Sequence, residues 1–145
     1  ERARGDIAGA AQILRQHNAT RLTNGGGKLA IVGFSLGGAY ALDASVNLAG
    51  EIAAVVTFYA SYTGLDYNSA QAAFLCHFAE SDPFESAESV AEMEQEIQAA
   101  GRPATFYTYP GTRHWFFEGN RPEYDAEAAR LAWERTIAFL HQRLA

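Results

Sequence analysis

Three side chains in this sequence have the chemistry needed for nucleophilic catalysis: Ser35, Asp82 and His114. A serine hydroxyl is a weak nucleophile at neutral pH and needs a base within hydrogen-bonding distance. A histidine base needs a carboxylate that fixes its tautomer and stabilises the imidazolium. Each of the three follows a stretch typical of a β-strand, and functional groups collect beyond the carboxyl ends of parallel strands. The sequence therefore predicts a nucleophile, a base and an orienting acid in these positions.

Ser35 is the centre of a G-x-S-x-G motif, residues 33–37, GFSLG. The apolar run 28–32 precedes it, and residues 39–48 have helical character. Strand, tight turn and helix form the context that projects a strained serine from the top of a sheet, and small residues let strand and helix approach. Two alternatives remain: the serine only caps the helix, or the turn binds phosphate. A phosphate loop would carry a lysine where Ala39 stands.

The acid and the base also have structural alternatives. Asp82 precedes Pro83 and a predicted helix, so it is alternatively the N-cap of that helix, although catalysis is favoured and the two roles are compatible. His114 stands in an aromatic stretch and is alternatively a packed neighbour of those rings. Asp66, in the loop after the second strand, is the substitute acid.

The other histidines and the single cysteine suggest no second site. His77 and Cys76 lie inside the apolar run 72–79, so we expect both in the core. His17 and His141 are placed at the end of one helix and within another. Four histidines without clustered cysteines or carboxylates predict no metal site. One cysteine excludes an internal disulfide, which fits a reducing compartment, and we expect a cytoplasmic location.

Length and charge limit the function classes. The 145 residues suit a single domain, 1–145, and the net charge of −6, with Lys28 the only lysine, argues against nucleic acid and anionic membranes as partners. No apolar run approaches the roughly 18 residues of a membrane span. The chain begins with Glu1 and not with Met, as we would expect of a processed, cut or truncated piece.

Hydrophobic periodicity predicts an α/β fold. Helices are expected at residues 6–16, 39–48, 83–100 and 123–144, and strands at 28–32, 52–59, 72–79 and 105–109. The strand runs are apolar throughout and separated by helices, which is typical of parallel strands covered on both faces. For the last helix we expect a buried stripe formed by Trp133, Ile137, Leu140 and Leu144.

Three motifs resemble the dienelactone hydrolase family of α/β-hydrolases: residues 33–38, GFSLGG; residues 79–84, AESDPF; and residues 109–114, YPGTRH, followed by Phe116. The resemblance covers nearly the whole chain. It implies a partial α/β-hydrolase fold, a mostly parallel sheet of about four strands flanked by helices. It also implies hydrolysis of small esters or lactones without a cofactor. Ser35 would be the nucleophile, His114 the general base and then acid, Asp82 its orienter, and the backbone N–H of Leu36 an oxyanion donor.

Two departures from the family concern the substrate. The founding enzymes carry cysteine as the nucleophile, whereas this chain has Ser35, which favours a general serine esterase. Those enzymes also hold an arginine shortly after the histidine, where residues 115–118 here read WFFE. We therefore expect a neutral acyl substrate. The residues expected to contact it are Phe34, Tyr62, Trp115 and Phe116.

The third departure concerns the extent of the fold. Members of the family have a further half-domain before the serine motif, with the first strands and the loop that donates the second oxyanion N–H. Only one predicted helix precedes that motif here, so we expect the strand before Ser35 to be an unpaired edge that promotes association, as a homodimer or within a longer chain. The alternative function is a non-catalytic or weakly active half-domain that serves as a binding or assembly module. A nucleotide-binding α/β domain is a weaker third reading.

Overall fold

The computed structural model describes residues 1–17 and 28–145, and these form an α/β structure. Residues 24–27, where the sequence predicts a glycine-rich break, lie outside the described ranges. The elements in chain order are α1 (Arg2–Gln16), β1 (Leu29–Phe34), α2 (Leu36–Asn47), β2 (Ile52–Phe58), β3 (Ala73–Ser81), α3 (Ala87–Ala99), β4 (Ala104–Arg113) and α4 (Ala126–Leu144). The predicted fold class is confirmed.

The four strands form one parallel sheet in the order β1-β2-β3-β4. Phe34 pairs with Phe58, and Phe58 pairs with His77, so the strands end near one another. Because the strands are parallel, the residues that follow β1, β3 and β4 meet at the same edge of the sheet. In the sheet formed by the described residues, β1 and β4 are the outermost strands.

Helices cover both faces of this sheet. Ala11 of α1, Leu42 of α2 and Ile97 of α3 pack into one buried cluster with the strands. Ala128 and Ala132 of α4 pack into a second cluster on the other face. Among the described residues no helix combines the length and the apolar character needed to cross a membrane.

The helix that follows Asp82 starts later than the sequence predicts. It begins at Ala87 instead of residue 83, because the side chain of Ser86 accepts a hydrogen bond from the Ser89 N–H and caps it. Asp82 therefore does not cap this helix. The helix ends at Ala99, close to the prediction, and Gly101 follows with a φ of 68°.

The last helix buries only part of the predicted apolar stripe, since Leu140 packs against the second cluster but Trp133 and Ile137 do not lie in the core. Its buried residues are Ala128, Ala129, Ala132 and Thr136, whereas Trp133 is 45% exposed and Ile137 37% exposed. Small side chains let α4 lie close to the sheet, so the large residues are displaced to its flank. The helix also begins at Ala126 and not at residue 123, because Asp125 caps it by accepting a hydrogen bond from the Ala128 N–H.

Three strands are longer than predicted, and all three reach the site. The strand before the serine continues to Phe34, which directly precedes Ser35. The third strand continues to Ser81, which directly precedes Asp82. The fourth strand continues through Pro110 to Arg113, which directly precedes His114. Its pairing with β3 shifts register between Ala79 and Ser81. This irregular end brings the residues after β3 and β4 together.

Candidate active site

The three residues singled out in the sequence lie side by side in the structure. His114 Nε2 is 3.0 Å from Ser35 Oγ, and His114 Nδ1 is 2.7 Å from Asp82 Oδ2. The side chains of His114 and Asp82 are each 3% exposed. Because Nδ1 faces a carboxylate, it carries the ring proton, and Nε2 is left to accept the serine hydroxyl proton. This geometry allows proton transfer from serine to histidine.

Ser35 occupies a sharp turn between β1 and α2, with φ 49° and ψ −124°. Its N–H donates to the Phe58 carbonyl at 2.9 Å, and its own carbonyl accepts from the Gly38 N–H at 2.8 Å. The glycines on both sides are sterically required: a Cβ on Gly33 would lie 2.3 Å from the Gly37 carbonyl oxygen. A Cβ on Gly38 would lie 2.5 Å from Ala60 Cβ. The strained turn and the close contact of strand, helix and loop therefore depend on these glycines.

Leu36 follows Ser35 as the first residue of α2. The N–H of a first helical residue has no acceptor within its own helix, and the helix terminus carries a partial positive charge. Leu36 itself is 68% exposed. An oxygen that develops negative charge next to Ser35 could accept a hydrogen bond here.

Asp82 is held by its own turn. Its Oδ1 accepts hydrogen bonds from the backbone N–H groups of Phe84 at 2.9 Å and Glu85 at 3.2 Å, which leaves Oδ2 for His114. Asp66, the alternative acid, instead accepts hydrogen bonds from Asn68 and Ser69 in its own loop, and those bonds lower its pKa. The structure therefore places Asp82, and not Asp66, against His114.

Three aromatic rings surround the imidazole of His114. Their centroids lie 4.6 Å away for Tyr59, 4.8 Å for Phe84 and 4.9 Å for Trp115. Among the described residues, the non-glycine residues with positive φ are Ser35 (49°), Tyr59 (41°) and Trp115 (70°), and all three contact His114. Backbone strain in this structure is thus concentrated around one histidine, as is common at functional sites.

Glu118 connects two of these rings. Its Oε1 accepts a hydrogen bond of 3.0 Å from the Tyr59 hydroxyl, and its Oε2 lies 3.5 Å from Arg121 Nε. The Arg121 guanidinium in turn lies 4.5 Å from the centre of the Trp115 ring. Burial raises the pKa of Tyr59, and the hydrogen bond to Glu118 adds to the rise, so the hydroxyl remains a donor. The loop after β4 is therefore fastened to the end of β2.

The residues predicted to contact substrate lie in different surroundings. Phe34 stacks on Phe58, with ring centroids 4.6 Å apart. Phe116 is fully buried against Tyr59 and so belongs to the core beneath the site. Tyr62 lines a separate pocket of about 380 Å³ with the start of α1. Trp115 borders a pocket of about 370 Å³ whose other lining residues are Ser81, Asp82, Pro83, Arg113, His114 and Glu123.

His77 and Cys76 are core residues, as predicted. His77 is fully buried, and its ring nitrogens lie 2.8 Å from the Tyr109 hydroxyl and 3.0 Å from Thr136 Oγ1. Burial lowers the pKa of His77 to about 3 and raises the pKa of the Cys76 thiol to about 12. Within residues 1–17 and 28–145, no group of three or more His, Cys, Asp or Glu side chains is arranged to hold a metal ion.

Sequence reasoning missed several residues around His114. Tyr59 lies in a predicted strand, and Phe84 lies in a motif without a role assigned to it. Glu118 lies in the stretch where the sequence departs from the family pattern. Glu85 and Ser61, which hydrogen-bond to each other near Asp82, were not singled out. The position of Glu85, three residues after Asp82, is the one available signal in the sequence, since loop-to-loop contacts leave no periodic pattern.

Comparisons with known proteins agree with the fold and the motifs. Residues 2–144 match the profile of the Dienelactone hydrolase family. A relative from Bradyrhizobium sp., named "Probable 2-oxo-3-(5-oxofuran-2-ylidene)propanoate lactonase", is 30% identical over an alignment of 154 positions, gaps included, that covers 96% of this chain and 58% of the relative. The chain thus spans little more than half the length of this relative.

Solved structures share the fold. A dienelactone hydrolase-like promiscuous phosphotriesterase from metagenomic libraries superposes with a TM-score of 0.83 at 21% identity, covering 99% of this chain and 62% of that one. MGS-M1, an α/β hydrolase enzyme from a Medee basin deep-sea metagenome library, gives a TM-score of 0.78 at 19% identity, covering 97% of this chain and 64% of that one. Since the family profile extends over almost every residue, the chain belongs to the dienelactone hydrolase family.

Proposed function

We propose that this chain is a serine hydrolase of the dienelactone hydrolase type, which cleaves small carboxylic esters or lactones through an acyl-enzyme. The observation that carries the proposal is the continuous hydrogen-bonded series from Ser35 Oγ through the His114 ring to Asp82 Oδ2. Ser35 also stands in a strained strand-to-helix turn, the context of a nucleophile elbow. Family membership supports the same reaction class.

In the first half-reaction, Ser35 Oγ attacks the carbonyl carbon of the ester as its proton passes to His114 Nε2. Asp82 stabilises the positive charge of the resulting imidazolium and holds the His114 ring in its orientation. The oxyanion accepts a hydrogen bond from the Leu36 N–H. The C–O bond to the leaving group then breaks, and the leaving oxygen takes the proton from Nε2, which yields the acyl-enzyme.

In the second half-reaction, water replaces the alcohol. His114 Nε2 removes a proton from the water as its oxygen attacks the acyl carbon, and the same proton returns to Ser35 Oγ when the acyl–serine bond breaks. The products are a carboxylic acid and the regenerated hydroxyl. In both half-reactions His114 transfers the proton, between Ser35 and the leaving group or between water and Ser35. The reaction requires no cofactor.

The surroundings of His114 favour a neutral acyl substrate. The nearby rings of Tyr59, Phe84 and Trp115 are apolar surfaces, and the charge of Arg121, which lies over Trp115, is offset by its ion pair with Glu118. The chain has Glu118 in the stretch where the family's carboxylate-binding arginine is expected. Phe84, 63% exposed, offers an accessible apolar surface next to the imidazole.

The test is hydrolysis of p-nitrophenyl acetate by the chain and by two matched variants. We expect Ser35→Ala to abolish the rate and Ser69→Ala, which removes an exposed hydroxyl, to retain it. A fluorophosphonate probe should label the wild type stoichiometrically and leave Ser35→Ala unlabelled, since only an activated serine reacts. Equal rates for Ser35→Ala and wild type would refute the proposal.

A second candidate function is a weakly active or non-catalytic half-domain that acts as an assembly module. The chain covers only 58% of the relative from Bradyrhizobium, which favours this function, because residues that complete the active site are then expected outside this chain. Loss of one oxyanion donor typically costs about 10²- to 10³-fold in rate. Absence of both fluorophosphonate labelling and hydrolysis would support this function over the first.

A further inference from the structure

A second hydrogen-bonded link, between Ser61 and Glu85, adjoins the series formed by Ser35, His114 and Asp82. Ser61 Oγ donates to Glu85 Oε2 at 2.5 Å, although the two residues belong to different loops. Ser61 is two residues beyond Tyr59, in the loop after β2. Glu85 belongs to the turn between β3 and α3, three residues after Asp82. The bond therefore joins the loop beside Ser35 to the turn that carries the acid.

Further contacts make this link part of a closed circuit. Ala60, next to Ser61, lies against Gly38 at the start of α2, with no space for a Cβ between them. The Glu85 N–H donates to Asp82 Oδ1 at 3.2 Å. From Asp82 the circuit returns through His114 to Ser35 and α2. Tyr62 and Gly64, further along the loop after β2, also bond to Met93 and Glu96 of α3, so the Ser61–Glu85 bond is the contact of this loop that lies nearest to the Asp82 turn.

Glu85 also brings a charge close to the site. Its carboxylate is partly buried, and burial raises its pKa, whereas the hydrogen bond from Ser61 opposes the rise. The charge of Asp82 raises the pKa of Glu85 and His114 lowers it, so the three groups interact electrostatically. The other titratable groups beside His114 are Tyr59, on the end of β2, and Arg113 and Glu123, which border the neighbouring pocket.

We propose that Glu85 is a positioning residue for Ser35, His114 and Asp82. Its hydrogen bond with Ser61 fixes the turn that carries Asp82 relative to the loop after β2. Its negative charge favours the protonated His114 imidazole that forms when Ser35 attacks the substrate. The inference rests on the proposed hydrolase function for its effect on rate. Its two parts, the bond and the charge, are separable by substitution.

Three variants separate the two parts. Glu85→Gln keeps an oxygen that can accept from Ser61 but removes the charge, Ser61→Ala removes the bond but keeps the charge, and Glu85→Ala removes both. Glu88→Gln, at an exposed position in the first turn of α3, is the matched control for charge. Circular dichroism and the urea midpoint establish that each variant is folded before it is compared.

The first readout is NMR of the His114 ring in the absence of substrate. The downfield resonance of the Nδ1 proton shared with Asp82 should weaken in Ser61→Ala and Glu85→Ala and persist in Glu85→Gln and in the control Glu88→Gln. An unchanged resonance in Ser61→Ala would overturn the inference.

The second readout is ester hydrolysis. We expect kcat to fall about 10- to 100-fold in Ser61→Ala and Glu85→Ala with KM little changed, because misplacement of reacting groups costs rate and not binding. Glu85→Gln should recover most of kcat and shift the acid limb of the pH–rate profile to lower pH. If wild type and Ser35→Ala hydrolyse the ester equally, the proposed function fails, whereas the NMR measurements still decide whether Glu85 positions the His114 ring against Asp82. Wild-type kcat in Ser61→Ala would contradict the positioning part.

Discussion

The Tyr59 hydroxyl donates a hydrogen bond of 3.0 Å to Glu118 Oε1, while the ring of the same tyrosine lies 4.6 Å from the imidazole of His114. Tyr59 ends up in this position with a φ of 41°, which is strained for a tyrosine. The bond therefore ties the loop that follows His114 to a residue that packs directly on it. Glu118 influences the histidine through Tyr59 and, by way of Arg121, through Trp115.

Tyr59→Phe tests this tether, since it removes the hydroxyl and keeps the ring. We expect the free energy of unfolding to fall by about 1 kcal/mol, because a partly buried carboxylate loses a donor. We also expect kcat for ester hydrolysis to fall about three- to tenfold through looser placement of His114. Tyr40→Phe, on the exposed surface of α2, is the control and should change neither quantity. Wild-type stability and rate in Tyr59→Phe would show that the tether is unimportant.

The charge of Glu118 should bias the enzyme against anionic substrates. Glu118→Gln keeps an acceptor for the Tyr59 hydroxyl and removes the negative charge. The ratio of kcat/KM for a carboxylate-bearing lactone to that for a neutral lactone of the same ring size should rise about three- to tenfold. Glu134→Gln, at an exposed position in α4, should leave the ratio unchanged. A wild type that prefers the anionic lactone would contradict the neutral-substrate proposal.

The glycines around Ser35 should differ in their tolerance of alanine. A Cβ on Gly33 or Gly38 would overlap backbone or side-chain atoms, whereas a Cβ on Gly37 meets nothing within 4 Å. We expect Gly33→Ala and Gly38→Ala to lower the free energy of unfolding by about 1–3 kcal/mol or more. Gly37→Ala, inside α2, should be neutral or stabilising by up to about 1 kcal/mol. Urea denaturation measures all three, and a Gly37→Ala loss as large as that of Gly33→Ala would contradict the explanation.

The sequence predicts most of the fold and the placement of Ser35, Asp82 and His114. Apolar runs identify parallel strands, and the end of a strand is where a reactive side chain can emerge, so the three residues follow from local patterns. Their hydrogen bonds require only that the strand ends meet. The strand order and the parallel directions in the structure provide that.

Contacts between loops were beyond sequence reasoning. The bonds Tyr59–Glu118 and Ser61–Glu85 depend on how separate loops fold over the strand ends, and no periodicity encodes that. The buried face of α4 was mispredicted in part, for a related reason. Large residues such as Trp133 were expected to be buried, but alanines face the sheet because close approach leaves no room for bulkier side chains.

His77 should make the protein sensitive to acid. Its pKa is 6.5 in an unperturbed chain and about 3 in the folded protein, because burial disfavours the imidazolium. The unfolded chain therefore binds the proton first, and lowering the pH from 6.5 towards 3 favours unfolding. The contribution approaches about 1.4 kcal/mol per pH unit well inside that interval.

Urea midpoints between pH 7 and pH 4 test this origin of acid sensitivity. We expect His77→Gln to be less stable than wild type at neutral pH, since Tyr109 and Thr136 lose a fitted partner, but to lose less stability as the pH falls. His141→Gln, at an exposed position in α4, should keep the wild-type slope. Parallel pH profiles for wild type and His77→Gln would show that other groups cause the acid sensitivity.

The last prediction concerns association through the edge of the sheet. Within the described residues β1 is an outermost strand, and Val32 on it is 36% exposed. On the same face Phe34 contacts Phe117, which contacts the exposed Trp133, so an apolar surface continues from the strand edge onto α4. We propose that copies of this chain associate here, because an unpaired strand edge beside apolar side chains favours pairing. Val32→Lys should shift sedimentation towards the monomer, whereas Ile13→Lys, at a still more exposed apolar position on α1, should not. A wild type that stays monomeric at high concentration would rule out the association, and then a charge at residue 32 would change neither mass nor stability.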